Sequence, residues 1–206
     1  MDSTEWDARY SATALVWSEG PNVFLAREAE RWEPGDALDL AAGEGRNSIF
    51  LAERGFRVTA VDFSKVGLDK GRARADALGP PVAERISWVR ADLHDYEPPT
   101  ASFDLVIISY LHLAHDELAT ILRRASRALR TAGTMFIIGH DVTNLTEGTG
   151  GPQDPAVLYD AGMLADTLRS CGLEVLRAER VTRPVEGTRA AIDTLVMAEQ
   201  PPALEP

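Results

Sequence analysis

Apolar residues along the chain follow two patterns, short apolar runs and longer stretches with helical spacing. The run FDLVIIS at 103–109 is almost entirely apolar, which is typical of a strand buried in a parallel sheet. Four further runs also predict strands: 36–40, 56–61, 86–92 and 134–140. Helical spacing predicts helices over 20–30, 47–54, 64–78, 115–130 and 158–171. Two more predicted strands, 173–183 and 190–198, are close enough in sequence to pair as a hairpin.

Strand and helix alternate as far as residue 140, and this order predicts the fold class. We expect an α/β, Rossmann-like, doubly wound sheet of seven mostly parallel strands, with an antiparallel C-terminal hairpin and helices on both faces. Residues 1–200 are predicted to form one domain, with a helical cap at 1–34 and a flexible tail at 201–206. The loop 141–157 is rich in Gly, Pro, Thr and Asp, and its length predicts a functional lid over a substrate.

Composition narrows the classes of partner and compartment. The formal net charge of −11 argues against a nucleic-acid or an anionic membrane partner. No apolar run approaches the roughly 20 residues of a membrane helix, and MDSTEWDARY lacks the features of a signal peptide. Cys171 is the one cysteine in the sequence, so no internal disulfide can form. We therefore expect a cytoplasmic monomer or homodimer that acts on a small molecule.

The stretch LDLAAGEGRNS at 38–48 joins the first predicted strand to the helix that follows. Gly43 and Gly45 let the backbone approach a ligand closely, at the sheet edge where open α/β sheets bind ligands. A dinucleotide-binding pattern needs a third glycine where this chain has Ser48. Asp62 ends the next strand and can accept hydrogen bonds from both hydroxyls of a ribose. Its plainer alternative is a helix cap, a role for which Ser64 competes.

Five motifs in this order resemble the class I S-adenosylmethionine-dependent methyltransferases. They are DLAAGEG at 39–45, AVDFS at 60–64, RADL at 90–93, FDLVIIS at 103–109 and LRTAGT at 129–134. The sequence GRNS at 45–48, with Trp17 and Pro21-Asn22, resembles the small bacterial tellurite-resistance methyltransferases. The chain departs from the family at Ala41, where glycine is usual, and at Thr131-Ala132, where Pro-Gly is frequent.

The resemblance implies S-adenosyl-L-methionine as the cofactor. It implies that Gly43 and Gly45 pack under the cofactor, that Asp39 fixes the loop and meets the amino group, and that Asp62 holds the ribose. The complete set of predicted cofactor contacts is Trp17, Asp39, Ala41, Gly43, Gly45, Arg46, Asp62, Phe63, Asp92, Leu93 and Ser109.

Some of these contacts have plainer alternatives. By the resemblance, Phe63 lies along the adenine face, while Asp92 and the Leu93 backbone contact the edge of the ring. Phe63 is otherwise a core aromatic residue, and Asp92 is otherwise a turn residue. Arg46 either clamps the carboxylate of the cofactor or an anionic substrate, or it is an exposed helix residue with no special role.

Three candidates for catalysis follow the fourth and fifth predicted strands: His112, His115 and Asp141. The spacing of the two histidines puts them on one face if that segment is helical, and either is a candidate general base. A metal pair is the weaker alternative and no metal is expected, while a purely structural role stays open. Asp141 is a candidate for orienting the substrate or the methyl group.

The predicted reaction is in-line methyl transfer to a small-molecule acceptor, on nitrogen, oxygen, sulfur or another chalcogen. The tetrapeptide SYLH occupies 109–112, where adenine-N6 and related amino methylases have an Asn-Pro-aromatic sequence. Two alternatives remain at this point. One is a nicotinamide-dependent oxidoreductase on a similar fold, and the other is a non-catalytic module that binds S-adenosylmethionine.

Overall fold

Seven strands form one mixed sheet, in the order β3-β2-β1-β4-β5-β7-β6. The strands are β1 (Asp36–Leu40), β2 (Arg57–Asp62), β3 (Ile86–Arg90), β4 (Phe103–Ser109), β5 (Leu129–His140), β6 (Glu174–Arg183) and β7 (Ala191–Glu199). Strand β2 pairs in parallel with β1 and β3, and β4 pairs in parallel with β5. Strand β7 is antiparallel to both β5 and β6. The predicted α/β sheet with an antiparallel C-terminal end is confirmed.

The structure is a computed structural model that describes residues 2–202. Two compact units divide the chain, residues 1–97 and residues 98–206. The predicted single domain over 1–200 stays a prediction. Residues 203–206 of the predicted flexible tail lie outside the described residues. Within 2–202, none of the helices combines the length and apolar character that a membrane-spanning segment requires.

The first unit places five helices around β1, β2 and β3. They are α1 (Ser3–Ser11), α2 (Val23–Glu28), α3 (Arg46–Glu53), α4 (Lys65–Leu78) and α5 (Pro80–Ala83). Ser64 is the N-cap of α4, since its hydroxyl accepts a hydrogen bond from the backbone N–H of Gly67. This confirms Ser64, rather than Asp62, as the residue that caps this helix. The inner strands are buried on both faces, with Leu38, Leu40 and Val61 almost inaccessible to solvent.

The second unit holds α6 (His115–Ala128), α7 (Asn144–Glu147) and α8 (Ala161–Ser170) with the other four strands. Strand β5 begins at Leu129, five residues before the predicted start at 134. The strand reaches back to Leu129 because Leu129 pairs with Phe103 of β4, whereas Thr134 pairs with Leu105, so the ladder is irregular between these two pairs. Within this irregularity Ala132 adopts a positive φ of 59°, and its N–H donates to the Gln200 carbonyl at 2.8 Å.

The segment 141–157 contains ordered structure and is fastened to the sheet. Helix α7 and a 3-10 turn at Pro155–Val157 lie within it. The Asn144 side chain accepts from the N–H of Ile192 at 2.8 Å and donates to the Gly150 carbonyl at 2.8 Å. The Tyr159 N–H donates to the His140 carbonyl at 2.8 Å, which fixes the far end of the segment. Its role as a lid stays a prediction.

Candidate functional site

The loop between β1 and α3 has a left-handed backbone at three positions. The φ angles are +62° at Ala41, +56° at Gly43 and +69° at Gly45. Asp62 holds this loop, because one carboxylate oxygen accepts from the N–H of Gly43 at 2.8 Å and the other from the N–H of Ser64 at 2.8 Å. Burial raises the pKa of Asp62, although these two hydrogen bonds act to lower it. Each oxygen retains a lone pair for a further donor.

The two glycines of this loop are required by the chain's own packing. A Cβ at Gly45 would collide with the ring of Trp88, and the same ring closes over Gly71 of α4. A Cβ at Gly43 would lie 2.5 Å from the hydroxyl oxygen of Tyr10. The loop is therefore held between α4 and the N-terminal segment, with its backbone close to both.

Asp39, near the end of β1, is a buried carboxylate with one satisfied oxygen. Its Oδ2 accepts from the Ser48 hydroxyl at 2.6 Å. Its Oδ1 is buried and has no hydrogen-bond partner within the described chain. Burial raises the pKa of Asp39 to about 7, opposed chiefly by the Ser48 hydrogen bond. Ser48 occupies the position of the third glycine in the dinucleotide-binding pattern. Here its hydroxyl binds Asp39, whereas a glycine at this position would leave room for a pyrophosphate.

The N-terminal segment is tied to this loop by charged groups that the sequence analysis did not identify. Buried Glu44 accepts from the N–H of Val16 at 3.0 Å and lies 3.3 Å from the Lys70 ammonium. That ammonium also donates to the Thr13 carbonyl at 2.6 Å and to the Tyr10 carbonyl. Glu44 is therefore neutralised within the unit and turned towards the N-terminal segment.

Asp7 of α1 makes a second tie to the same unit. Its Oδ1 accepts from the Ser64 hydroxyl at 2.5 Å and from the N–H of Val66 at 3.1 Å. These bonds hold the pKa of Asp7 below its usual range, despite partial burial. Helix α1 is thus joined to the first turn of α4. No signal in the sequence connects positions that are 57 residues apart.

The remaining predicted cofactor residues of the first unit occupy varied environments. Arg46 donates to the Ser18 hydroxyl at 2.8 Å, and its contact to the cofactor or substrate stays a prediction. Phe63 is half-buried and Leu93 is buried. Exposed Asp92 accepts from the His94 backbone N–H at 2.9 Å, which lowers its pKa and makes it part of a turn. Trp17 is 38% exposed, with its indole nitrogen 3.4 Å from the Tyr10 hydroxyl.

The second unit contains the predicted catalytic residues, and His112 stands out among them. Its Nδ1 lies 3.0 Å from the Val157 carbonyl oxygen. Because a carbonyl oxygen can only accept a hydrogen bond, we assign the ring hydrogen to Nδ1. Its Nε2 is buried and has no hydrogen-bond partner in residues 2–202. Burial lowers the pKa of His112 to about 4. The ring is therefore neutral near pH 7 and presents a bare lone pair.

His115 and Asp141 are engaged by the chain itself. The Nε2 of exposed His115 lies 3.0 Å from the Leu158 carbonyl. Asp141 is buried, and its two oxygens accept from the hydroxyls of Thr143 at 2.6 Å and Thr194 at 2.5 Å. Among the described residues, no group of three or more His, Cys, Asp or Glu side chains is arranged to hold a metal ion. Ser109 lies in this unit at the end of β4.

A buried acid on β7 joins this region and was missed by the sequence analysis. The register of β5 and β7 pairs His140 with Asp193. The His140 Nδ1 and Asp193 Oδ1 are 3.1 Å apart, without the alignment of a hydrogen bond. The Tyr110 hydroxyl donates to the Asp193 Oδ2 at 2.9 Å, and the Arg183 Nε lies 3.3 Å from it. His140 and Asp193 are 53 positions apart in sequence, so only the strand register reveals that they form a pair.

Comparisons with known proteins identify the family of this chain. A family described as "Methyltransferase domain" matches residues 37–133. The N-terminal Xaa-Pro-Lys N-methyltransferase 1 of Rattus norvegicus is 31% identical over 163 residues, covering 76% of this chain and 70% of the relative. The chain belongs to the class I S-adenosylmethionine-dependent methyltransferases. The putative methyltransferase YqeM of Bacillus subtilis is 30% identical over 141 residues, 64% of this chain and 55% of that protein.

The methyltransferase fold also appears among solved structures. TehB from Haemophilus influenzae superposes with a TM-score of 0.70 and 16% identity, covering 96% of this chain and 66% of that chain. At this identity, the likeness shows the fold alone. The chain spans about half the length of the first two curated relatives it matches, 55% and 50%. The predicted membership of the methyltransferase family is confirmed, and the narrower tellurite-resistance group stays a prediction.

Proposed function

We propose that this methyltransferase transfers the methyl group of S-adenosylmethionine to a small-molecule acceptor. The observation that carries the proposal is the buried, unpartnered Oδ1 of Asp39 beside the glycine loop. Buried polar atoms in native proteins are almost always paired, so an orphaned carboxylate oxygen marks a place where a ligand donor belongs. The cofactor has such a donor in its cationic amino group.

Asp62 fits the other half of the cofactor. It already fixes the loop through the N–H groups of Gly43 and Ser64, so its carboxylate is held in one orientation. The remaining lone pairs of its two oxygens are suited to the two hydroxyls of a ribose. One acid for the ammonium and one for the sugar match the two ends of an adenosyl amino acid. A pyrophosphate would meet two carboxylates instead, which argues against a dinucleotide.

S-adenosylmethionine, when bound, supplies a methyl carbon that its sulfonium charge already activates. The chain therefore has to bind the cofactor and the acceptor, align their reacting atoms and exclude water. Positioning alone accounts for a large part of the rate of such a transfer. The ties through Asp7, Glu44 and Lys70 hold the N-terminal segment against the loop, and this is the role we assign to them.

Of the predicted catalytic residues, His112 is the one that we retain as a contact to the acceptor. Its Nε2 is a neutral hydrogen-bond acceptor, which suits a substrate that brings an N–H or O–H group. His115 and Asp141 are better explained as supports, because their polar atoms already bind the Leu158 carbonyl and two threonines. The acidic balance of the chain supports a small molecule over a nucleic acid.

Calorimetric titration with S-adenosylmethionine tests cofactor binding. Asp62→Asn should weaken binding at least tenfold, whereas the exposed-acid control Asp69→Asn should leave it unchanged. Thermal melts of both variants check that the fold persists, since Asp62 also anchors the loop. No binding by the unaltered chain, or equal binding by Asp62→Asn, contradicts the proposal.

Release of S-adenosylhomocysteine tests the acceptor. The screen contains small amines, hydroxyl compounds, thiols and tellurite, together with a peptide that begins Xaa-Pro-Lys, as the name of the rat relative suggests. Turnover of a small compound supports the proposal, and turnover of the peptide alone contradicts the acceptor class. Tellurite turnover would support the narrower tellurite-resistance group. Cofactor binding without turnover of any acceptor would indicate a non-catalytic binding module.

A further inference from the structure

We propose that His140 is the general base of this methyltransferase, that Asp193 is its positioning partner, and that the acceptor's reacting atom carries a proton as O–H or N–H. The inference rests on the proposed function and assigns the proton transfer that such an acceptor requires. It concerns residues of the second unit alone. Neither His140 nor Asp193 was expected from the sequence to take part in the proton transfer.

The strand register builds the pair. His140 and Asp193 face each other across the antiparallel β5–β7 ladder, where directly opposed residues project on the same side. Asp193 is fully buried, whereas the His140 side chain remains 13% exposed. Because a carboxylate only accepts hydrogen bonds, the facing Nδ1 of His140 carries the hydrogen and Nε2 is left as the basic nitrogen. Such contacts are often poorly aligned before the substrate binds and tighten in the complex.

The surroundings of Asp193 hold its carboxyl group in one orientation. The Tyr110 hydroxyl and the Arg183 guanidinium both approach its Oδ2, which leaves Oδ1 for His140. An imidazolium at His140 would therefore form beside a buried carboxylate that is already oriented. This is the arrangement in which an acid holds the tautomer of a histidine base and stabilises the charge that it gains.

His112 is unsuited to take the proton although its Nε2 is bare. Its ring stacks on that of His140, with centroids 5.4 Å apart and planes inclined by 12°. Its Nδ1 has a carbonyl partner instead of a carboxylate, and burial lowers its pKa to about 4. Two stacked imidazolium rings would repel each other, so one of the pair has to remain neutral. His112 then orients the O–H or N–H group of the methyl acceptor, and His140 receives the proton.

Backbone strain is a separate observation that points to the same place. Tyr110 adopts a φ of +58°, an unfavourable conformation for a bulky residue. The strain puts its hydroxyl on Asp193, and strain of this kind clusters at functional sites. Gly151 brings its backbone against the His140 ring, where a Cβ would lie 2.5 Å from the ring carbon Cδ2. A side chain at 151 would therefore displace the proposed base.

A bond forms between the acceptor atom and the methyl carbon while the carbon–sulfur bond breaks with its electron pair going to sulfur. The acceptor's proton passes to the His140 Nε2, so one positive charge disappears from sulfur and one appears on the imidazolium. Asp193 neutralises that charge until water removes the proton. Among the described residues, Asp193, Tyr110 and His112 contact the His140 ring. Arg183 approaches Asp193, the Tyr159 ring lies against that of His112, and Asp141 follows His140 in the chain.

The first test is nuclear magnetic resonance of the histidine rings without cofactor or acceptor. The chain has four histidines, so the ring signals can be assigned with single His→Gln variants. We expect His140 to be protonated on Nδ1 in its neutral form. In Asp193→Asn a measurable fraction of the neutral His140 rings should carry the hydrogen on Nε2 instead, while the control Asp166→Asn, which changes an exposed acid, should have no effect. An unchanged His140 tautomer in Asp193→Asn would overturn the proposal.

The second test is single-turnover kinetics with catechol and imidazole as O–H and N–H probes and 2-mercaptoethanol as a thiol probe. His140→Gln should reduce methyl transfer to the first two by about 10²- to 10⁴-fold. Asp193→Asn should also reduce this rate, because the tautomer of His140 is no longer fixed, and the affinity for S-adenosylmethionine should stay unchanged in both variants. An unchanged rate in His140→Gln, or turnover of the thiol alone, overturns the proposal. Failure of the unaltered chain to bind S-adenosylmethionine would instead overturn the proposed function.

Discussion

Replacing Asp39 by asparagine tests whether the buried acid of the glycine loop is neutral in the cofactor-free fold. Its pKa is raised from 3.8 to about 7, chiefly by burial. A folded-state pKa above the unfolded value means that the folded chain holds the proton more tightly. The associated stability is complete below the unfolded pKa and is lost as the pH rises through the folded pKa. Asparagine cannot ionise and lacks this dependence.

The size of the effect follows from the pKa values. The full shift of about 3 units corresponds to about 4 kcal/mol, at about 1.4 kcal/mol per unit. The sequence pI of about 4.8 makes titrations below pH 5 prone to precipitation, so pH 5.5 and pH 8 are the practical limits. Between them the wild-type chain loses about 2 kcal/mol from this group, because the loss occurs over the 1.5 units below about pH 7.

Urea unfolding of both proteins at the two pH values measures this effect. The stability of Asp39→Asn relative to wild type should rise by about 2 kcal/mol from pH 5.5 to pH 8. Using the difference between two pH values cancels the packing consequences of the substitution itself. Asp76→Asn makes the same chemical change at an exposed position of α4 and measures the general effect of removing a negative charge. An equal stability difference at both pH values would show that Asp39 is ionised throughout, and the argument from burial would fail.

Three further outcomes can be checked on the first unit. In calorimetry, S-adenosylmethionine should bind wild type about tenfold more tightly at pH 8 than at pH 6, because the cationic amino group of the cofactor favours ionised Asp39. Asp39→Asn should bind the cofactor more weakly, and its affinity should not rise between these two pH values. Ala41→Gly should raise the free energy of unfolding by about 0.5–1 kcal/mol, since it relieves a positive φ of 62°; a loss of stability contradicts this. Lys70→Met should cost about 1–3 kcal/mol and speed proteolysis near Thr13, because it removes the ammonium that binds three carbonyls; unchanged proteolysis would show that the segment is held by other contacts.

The sequence was most informative where a residue's role depends on its own strand and the loop that follows. Asp39 and Asp62 lie at or next to the ends of parallel strands beside a glycine loop, and both could be proposed as ligand contacts without knowing which strands are neighbours. The alternation of strand and helix likewise predicted the sheet. The beginning of β5 was misplaced because Leu129 pairs with Phe103 across an irregular part of the β4–β5 ladder, which the apolar pattern of the sequence does not reveal.

Asp193 was missed for a physical reason, which is that its contacts depend on strand register. Asp193 faces His140 only because β7 pairs with β5 in one particular alignment, and a slip of one residue would turn its side chain to the other face of the sheet. Strand β7 also pairs with β6, and that ladder contains an irregularity between Val175 and Arg177 that no apolar pattern reveals. Asp141 could therefore be predicted as a site residue from the sequence, because it is adjacent to His140 along the chain. Asp193 could not, because it lies opposite His140 on the neighbouring strand. Asp141 binds two threonine hydroxyls, whereas Asp193 keeps one oxygen facing the imidazole. Proximity along the chain thus selected the supporting acid, and strand pairing selected the acid that we assign to the base.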